Sequence, residues 1–193
     1  MDRERLHWDK PWPSYASFFY REPIQSMMVS IKFAGRTDRA EAIGRWMART
    51  VRRQNLSADA VIPVPLHQKR LRERGFNQTE IIAKALAERL RLPVVETLLS
   101  RILDTPRQSE TQSVEERRRH LKDAFTVDTK DSAFKALLGR PVLLLDDVLT
   151  TGSTLTAAAS ALNNAGIQVI CLAAASGHGR YIGYNEALAK WHL

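Results

Sequence analysis

The sequence predicts an α/β domain with a parallel sheet of about five strands, flanked by helices and carrying a flexible lid loop. Two apolar runs, at residues 142–145 and 169–175, are typical of strands that are buried on both faces. Between them, residues 155–165 form an alanine-rich helical pattern that ends at Gly166. With 193 residues and 44% hydrophobic content, the chain is long enough for a single domain over residues 1–193 with a substantial core.

We expect the first element, residues 1–20, to be an irregular aromatic arm. Pro11 and Pro13 interrupt regular structure there, and Trp8 and Trp12 lie beside them. The arm offers aromatic surface, but its pattern of residues does not specify a ligand.

Two amphipathic helices are predicted next, at residues 21–33 and 37–53, because apolar side chains recur in both at helical spacing. These side chains are Ile24, Met27, Met28 and Ile31 in the first helix and Ala40, Ile43, Trp46, Met47 and Val51 in the second. We interpret them as core packing rather than as a ligand site.

A strand at residues 60–65 follows, and its prolines indicate that it ends at the ligand crevice, because proline cannot donate to a central ladder. Residues 66–78 then predict a basic loop, and Asn77 with Glu80 predicts a capping box for a helix at 79–90. The basic loop has two interpretations, a solvated charged face or a set of cations that neutralise a ligand in the crevice.

Residues 104–120 are polar, lack glycine, and separate a predicted strand ending near Ile102 from another at 124–127. Loops of this length are usually functional lids or mobile segments. An exposed charged loop without a chemical role is the alternative interpretation.

Asp146 and Asp147 come directly after the apolar strand at 142–145, where a parallel sheet opens its ligand crevice. A hydroxyl-rich turn then leads into the next helix, and it consists of Thr150, Thr151, Gly152, Ser153 and Thr154. Backbone amides and hydroxyls converge at such a helix N-terminus, where a phosphate fits. Two carboxylates are good acceptors for a vicinal diol one sugar length away. The pattern therefore predicts a ribose 5-phosphate site, with an ordinary capped strand–helix junction as the structural alternative.

This arrangement resembles the phosphoribosyl-pyrophosphate (PRPP) motif of the type I phosphoribosyltransferases, in which two acids bind the ribose hydroxyls and a T-T-G-x-T turn holds the 5-phosphate. The likeness then narrows to the ComF/GntX family, competence-associated proteins with a phosphoribosyltransferase domain. That family's motif is matched by V-P-L-H at residues 64–67, by Arg70, and by R-G-F-N-Q at 74–78. I-K-F-A-G at residues 31–35 and the segments around Gln108 and Glu116 are also similar to it.

The resemblance implies a type I phosphoribosyltransferase-like fold and a role for each matched residue. Asp146 and Asp147 would hold the ribose diol, and Thr150 to Thr154 the 5-phosphate. The pyrophosphate would be held by Leu66, His67 and Arg70, and Arg74 would also belong to the substrate-binding site. Gln108, Ser109 and Arg117 would belong to a lid over residues 104–120 that closes over the pyrophosphate and excludes water. The arm at residues 1–20 is a candidate hood over an acceptor.

Three departures from the family patterns matter. The four-cysteine zinc finger with which many family members begin is absent, so we expect no zinc. His120 stands where the family usually has Asn. Thr150 occupies the position of the third acid of hypoxanthine-type enzymes, which makes an oxopurine acceptor less favoured.

Two functions from different classes follow from the resemblance. The first is a phosphoribosyltransferase, a pentosyl-transferring glycosyltransferase of nucleoside metabolism that uses PRPP and a nitrogen acceptor. Mg²⁺ would enter with PRPP, close to Asp146 and Asp147. The second is a PRPP-regulated factor in DNA uptake that binds single-stranded DNA and competence proteins. Because positioning and leaving-group stabilisation suffice for such a transfer, no catalytic residue is assigned.

Composition agrees with both functions without choosing between them. The net charge of +8 is compatible with polyanionic partners, whether PRPP or nucleic acid. Cys171 is the one cysteine of the chain and lies in an apolar run, so we expect a buried, unreactive thiol in a reducing cytoplasm. No apolar run approaches the roughly 20 residues that span a bilayer, so we expect no membrane insertion. A homodimer is compatible with this interpretation.

Overall fold

The computed structural model of the chain describes residues 12–103 and 124–177. Its strands are β1 (Ser14–Phe19), β2 (Ala60–Pro63), β3 (Leu99–Arg101), β4 (Phe125–Val127), β5 (Pro141–Leu149) and β6 (Gln168–Ser176). Its helices are α1 (Ile24–Ala34), α2 (Thr37–Arg53), α3 (Gln68–Arg74), α4 (Gln78–Leu90), α5 (Ser132–Leu137) and α6 (Ser153–Asn164). The four strands β1, β6, β5 and β2, in that order, form a parallel sheet, and β3 and β4 form an antiparallel pair.

The central strand β5 separates two hydrophobic cores, because its side chains alternate between the faces of the sheet. Val142 and Leu144 pack in the core that contains α6, β3 and β4. Leu143 and Leu145 pack in the core formed with α1, α2 and α4. All four side chains are fully buried, which confirms the predicted strand with two covered faces.

The neighbouring strands β2 and β5 form the switch point of the sheet. The helix α4, which follows β2, packs on one face, and the helix α6, which follows β5, packs on the other. Because the connections diverge there, a crevice opens at the carboxyl ends of these two strands. The Val64 N–H donates to the Leu145 carbonyl at 2.8 Å, so the chain leaving β2 stays beside β5 up to the crevice.

Most predicted elements are confirmed. The second predicted helix has the bounds of α2, and the strands flanking residues 104–120 are β3 and β4. The sheet is parallel as predicted, but the fifth strand is reduced to a single bridge between Val61 and Val94. Within the described residues, no helix is both long enough and apolar enough to cross a membrane.

Three expectations need correction. The predicted irregular arm is wrong for Ser14–Phe19, which is the edge strand β1, because its backbone pairs with β6. The predicted basic loop contains the helix α3, which is bounded by His67 at its N-cap and by Gly75 in a left-handed conformation at its C-cap. Asp146 and Asp147 lie within β5, which continues to Leu149.

Several predicted residues lie outside the described part of the chain. These are residues 1–11 of the arm and the predicted lid at 104–120, with Gln108, Ser109, Arg117 and His120.

Candidate functional site

Asp147 is the most constrained acid of the crevice, with 7% of its surface exposed. Its Oδ2 accepts from the Lys32 Nζ at 2.6 Å and from the Gln78 side-chain amide at 2.8 Å. Its Oδ1 accepts from the Val148 N–H at 2.6 Å. A buried carboxylate requires such compensation, because an unpaired charge away from water is costly.

Lys32 and Gln78 reach Asp147 because both helices that carry them are anchored at the carboxyl edge. The helix α1 ends at Gly35, whose φ of 61° is favourable for glycine, so Lys32 lies in the last turn. Gln78 is the first residue of α4, and Asn77 caps that helix by accepting from the Thr79 N–H at 3.1 Å.

Asn77 also fixes α4 against the end of β2, since its amide donates to the Val64 carbonyl at 3.2 Å. The N-cap predicted from the sequence is therefore confirmed, with one difference in the capping box. The Glu80 carboxylate accepts from the Asn77 side-chain amide at 3.1 Å.

The two adjacent acids have opposite electrostatic environments. Burial and the negative charge of Asp147 raise the pKa of Asp146 to about 7, and the charges of Lys32 and Arg101 offset this only in part. Burial also acts to raise the pKa of Asp147, but the charge and hydrogen bond of Lys32 and the amide of Gln78 outweigh it and lower the pKa. The pair therefore holds one firmly ionised carboxylate and one that changes charge near neutral pH.

The turn after β5 places a left-handed glycine at the start of α6. Gly152 has φ 77° and ψ 3°, a left-handed conformation that L side chains rarely adopt, and it is the N-cap of α6. Gly152 has no side chain that could cap α6, but the Thr151 hydroxyl accepts from the Ser153 N–H at 3.4 Å, so one amide of the first turn already has a side-chain acceptor. The Thr151 and Ser153 hydroxyls lie 2.9 Å apart, and Thr150 is exposed.

The predicted pyrophosphate residues lie at the end of β2 and on α3. Leu66, His67 and Arg70 are half-buried. His67 serves α3 locally, because its Nδ1 accepts from the Lys69 N–H at 3.4 Å. Arg74 donates to the side-chain carbonyl of Gln78, and the side-chain NH₂ group of Gln78 donates to Asp147.

The structure thus brings the acid pair, the Gly152 turn and the basic α3 region to one edge of the sheet. The sequence interpretation missed Lys32 and Gln78 as site residues, although both lie in the matched motifs. A lysine directly after the buried Ile31 and close to the glycine that ends α1 was the signal that could have indicated Lys32.

The remaining residue types of interest are the cysteine and the side chains that could bind a metal ion. Cys171 is fully buried, which confirms the expected buried thiol, and burial raises its pKa. Over residues 12–103 and 124–177, His, Cys, Asp and Glu side chains do not form a group of three that could hold a metal ion.

The chain is similar to several known proteins. The family model described as the phosphoribosyl transferase domain matches residues 77–188. The chain is 31% identical over 156 residues to Competence protein F of Haemophilus influenzae, which covers 78% of this chain and 66% of that protein. It is 31% identical over 171 residues to DNA utilization protein YhgH of Escherichia coli O157:H7, which covers 84% of this chain and 72% of that protein.

One solved structure extends the fold comparison. The adenine phosphoribosyltransferase of Leishmania donovani is similar with a TM-score of 0.50 and 14% sequence identity, over 97% of this chain and 79% of that one. This similarity supports a type I phosphoribosyltransferase fold.

Proposed function

The chain belongs to the ComF family of proteins with a phosphoribosyl transferase domain, and from this premise we propose that it binds magnesium–PRPP and transfers the phosphoribosyl group to a nitrogen acceptor. The single observation that supports the proposal is that the acids of β5 and the left-handed Gly152 turn share one edge of the switch-point crevice. The acids offer acceptors for a diol, and the turn offers donors for a phosphate.

Asp146 is the carboxylate best placed for the ribose hydroxyls and for Mg²⁺ brought in by PRPP. It is partly exposed, and within the described residues the Asp147 N–H is its one hydrogen-bond donor, at 2.8 Å. Carboxylate oxygens are ligands that Mg²⁺ accepts, and this ion usually keeps several waters and the substrate's phosphates around it. The ion would neutralise charge on the pyrophosphate as it leaves.

The pyrophosphate would lie toward α3. This helix carries the cations Lys69, Arg70, Arg72 and Arg74, and it begins where the chain leaves β2 beside the acids of β5. Cations held at that place stabilise a leaving group whose negative charge grows as the glycosidic carbon–oxygen bond breaks. A general base is not needed for that step, so the chemistry depends on positioning and electrostatics.

Isothermal titration with magnesium–PRPP tests the proposal. Wild-type protein should bind, and the Asp146→Asn/Asp147→Asn double variant should lose about 2 to 5 kcal/mol of binding free energy, because charge-assisted bonds to the diol are lost. Asp59→Asn is the control, since its exposed ion pair with Arg140 lies at the amino edge of β5. Unchanged affinity in a folded double variant would remove the ribose assignment.

A second function is favoured by the names of the relatives, a competence protein and a DNA utilization protein. In this alternative the crevice binds PRPP as a regulator and the protein binds single-stranded DNA. Pyrophosphate release distinguishes the two. A transferase releases pyrophosphate from PRPP only when a base or amine is added, whereas a DNA-binding factor releases none in the presence of either amine or DNA.

A further inference from the structure

Asp147 has few acceptor positions left for a ligand. A carboxylate offers about four lone-pair sites. The protein occupies three of them at Asp147, through the Val148 N–H, the Lys32 ammonium and the Gln78 amide. Asp146 receives one donor from the described residues, the Asp147 N–H. The two acids that follow each other in the sequence are therefore not equivalent acceptors.

Lys32 lies in a less exposed ion pair than Lys84, a surface lysine of α4. Its ion pair with Asp147 is 2.6 Å long, and the side chains are 27% and 10% exposed. The Lys84–Glu96 pair is similar in length, 2.8 Å, but its side chains are 60% and 35% exposed. Because solvent screens the exposed pair far more, only the Lys32 pair is expected to fix the position of its acid.

Gln78 is the second side chain that holds Asp147, and Arg74 fixes the orientation of its amide. Its amide NH₂ donates to Asp147 at 2.8 Å, and its carbonyl accepts from Arg74. The Arg74 bond leaves the NH₂ group of Gln78 facing the acid. The carboxylate of Asp147 is thus held from α1 and from α4 at the same time.

We propose that Lys32 is a positioning residue of the PRPP site. Its ion pair, together with Gln78, fixes the Asp147 carboxylate so that Asp146 and the last acceptor position of Asp147 face the ribose diol. The inference rests on the proposed function and deepens it, because it assigns to α1 a role in a site otherwise built from the ends of β2 and β5. Without the ammonium, Asp147 would lose its counter-charge and its orientation.

The test measures the Kd for magnesium–PRPP by titration and the free energy of unfolding in urea for a matched set of full-length variants. Lys32→Met should weaken PRPP binding by about tenfold or more, since a charge-assisted contact that orients the acid is lost. Lys32→Arg keeps the charge and should restore affinity to within about threefold. Lys84→Met is the control and should leave the Kd unchanged, because its ion pair lies outside the crevice.

A double-variant cycle shows whether Lys32 acts through Asp147. In the Asp147→Asn background, Lys32→Met should cost no more than about twofold in affinity, because the group that it positions is already changed. Equal losses in both backgrounds would overturn the positioning role and indicate direct contact with the ligand. If Lys32→Met does not fold, Lys32→Gln replaces it with the same expected loss.

The outcomes separate this inference from the proposed function. A wild-type protein that binds PRPP, with a Lys32→Met variant of lower stability but equal Kd, makes the ion pair purely structural and overturns the inference alone. A folded wild-type protein that does not bind PRPP overturns the proposed function, and the positioning role is then rejected with it.

Discussion

At the scale of single residues, the adjacent acids of β5 show how one strand creates two environments. Successive side chains of a strand point to opposite faces. Asp147 therefore meets Lys32 and Gln78 on the face of α1 and α4, while Asp146 lies on the other face, where the charges of Lys32 and Arg101 act on it without a bond from either. Asp146 is an acid kept in an unfavourable position, which is common at functional sites and is reflected in its raised pKa.

Asp146 should make stability depend on pH. Its pKa is about 7 in the folded chain against an ordinary value of 3.8, so between these values the folded state binds more protons than the unfolded state. The contribution of Asp146 to the free energy of unfolding is fully present below about pH 4 and is lost as the pH rises through about 7. Asp146→Asn should be more stable than wild type at pH 8 by about 1 to 3 kcal/mol, and the difference should shrink toward pH 5.

Urea unfolding at several pH values checks this expectation. In the difference in unfolding free energy between wild type and variant, the contributions from titration of the other groups cancel. Asp38→Asn is the control. Asp38 is an exposed acid, and its ion pair with Arg36 lowers its pKa instead of raising it. A difference for Asp146→Asn that does not change with pH would contradict the raised pKa.

Gly152 should be required for ligand binding more than for stability. Its φ of 77° lies in the left-handed region, so Gly152→Val should cost about 1 to 2 kcal/mol of stability. The same change distorts the turn and should weaken PRPP binding by about tenfold or more. Gly139→Val is the control, since Gly139 has a similar φ of 69° but lies at the amino edge of β5.

The two variants give a sharp comparison by titration and urea unfolding. Equal loss of stability with loss of PRPP binding only in Gly152→Val supports a phosphate turn. Normal binding by Gly152→Val would leave the turn as a structural cap of α6.

At the scale of elements, the close approach of α2 and α4 holds the helical layer that carries Gln78. Gly44 allows this approach, because a Cβ placed there would lie 2.3 Å from the Ile82 carbonyl oxygen and 2.9 Å from the Ala85 Cβ. The first of these neighbours is backbone and cannot move aside like a flexible side chain. The packing of the two helices therefore depends on a residue without a side chain.

Gly44→Ala should lower the free energy of unfolding by about 1 to 3 kcal/mol, the usual cost of overpacking a core. In an exposed helix the same change would stabilise by about 1 kcal/mol, so the sign of the effect tests the close contact. Gly177→Ala is the control, because a Cβ there meets no atom of the described residues within 4 Å and its φ is not positive. A Gly44→Ala variant more stable than wild type would show that α2 and α4 can separate at little cost.

At the scale of the whole molecule, the net charge of +8 includes two basic surfaces that lie on different helices. One is α3, with exposed Lys69 and Arg72 at the carboxyl edge. The other is the last part of α2, with exposed Arg49 and Arg53. A DNA-binding function would use one of these surfaces, and PRPP would compete only on the first.

If single-stranded DNA binds at α3, its affinity should fall steeply with salt and PRPP should compete, because both polyanions use the same cations. Lys69→Glu/Arg72→Glu should reduce the slope of log K against log salt by roughly 1.4, about 0.7 for each lost phosphate contact. Fluorescence anisotropy with a labelled oligonucleotide at several salt concentrations measures both effects.

The matched control reverses the charge of the other surface through Arg49→Glu/Arg53→Glu and should leave the salt slope unchanged. The opposite pattern, with binding unaffected by PRPP, would place DNA on α2. Absence of DNA binding at low salt would rule out the DNA-binding function and leave the transferase function.

The sequence by itself determined the strand, the acids, the turn and the helix between residues 142 and 164, because these parts are consecutive and each has a local physical cause. An apolar run forms the strand, and the hydroxyls and glycine form the helix start. Periodicity was likewise sufficient for α1 and α2, whose buried faces recur at helical spacing, and the capping residues indicated where α4 begins.

Only the tertiary structure decided which groups meet at the site. Lys32 and Gln78 contact Asp147 from separate helices, and no local pattern records such a contact. The edge strand β1 depends on the backbone of β6, and α3 has no buried residue whose periodicity could reveal it. The different environments of Asp146 and Asp147 have the same origin, since neighbours in sequence point to opposite faces and the Lys32 and Gln78 side chains bond Asp147 rather than Asp146.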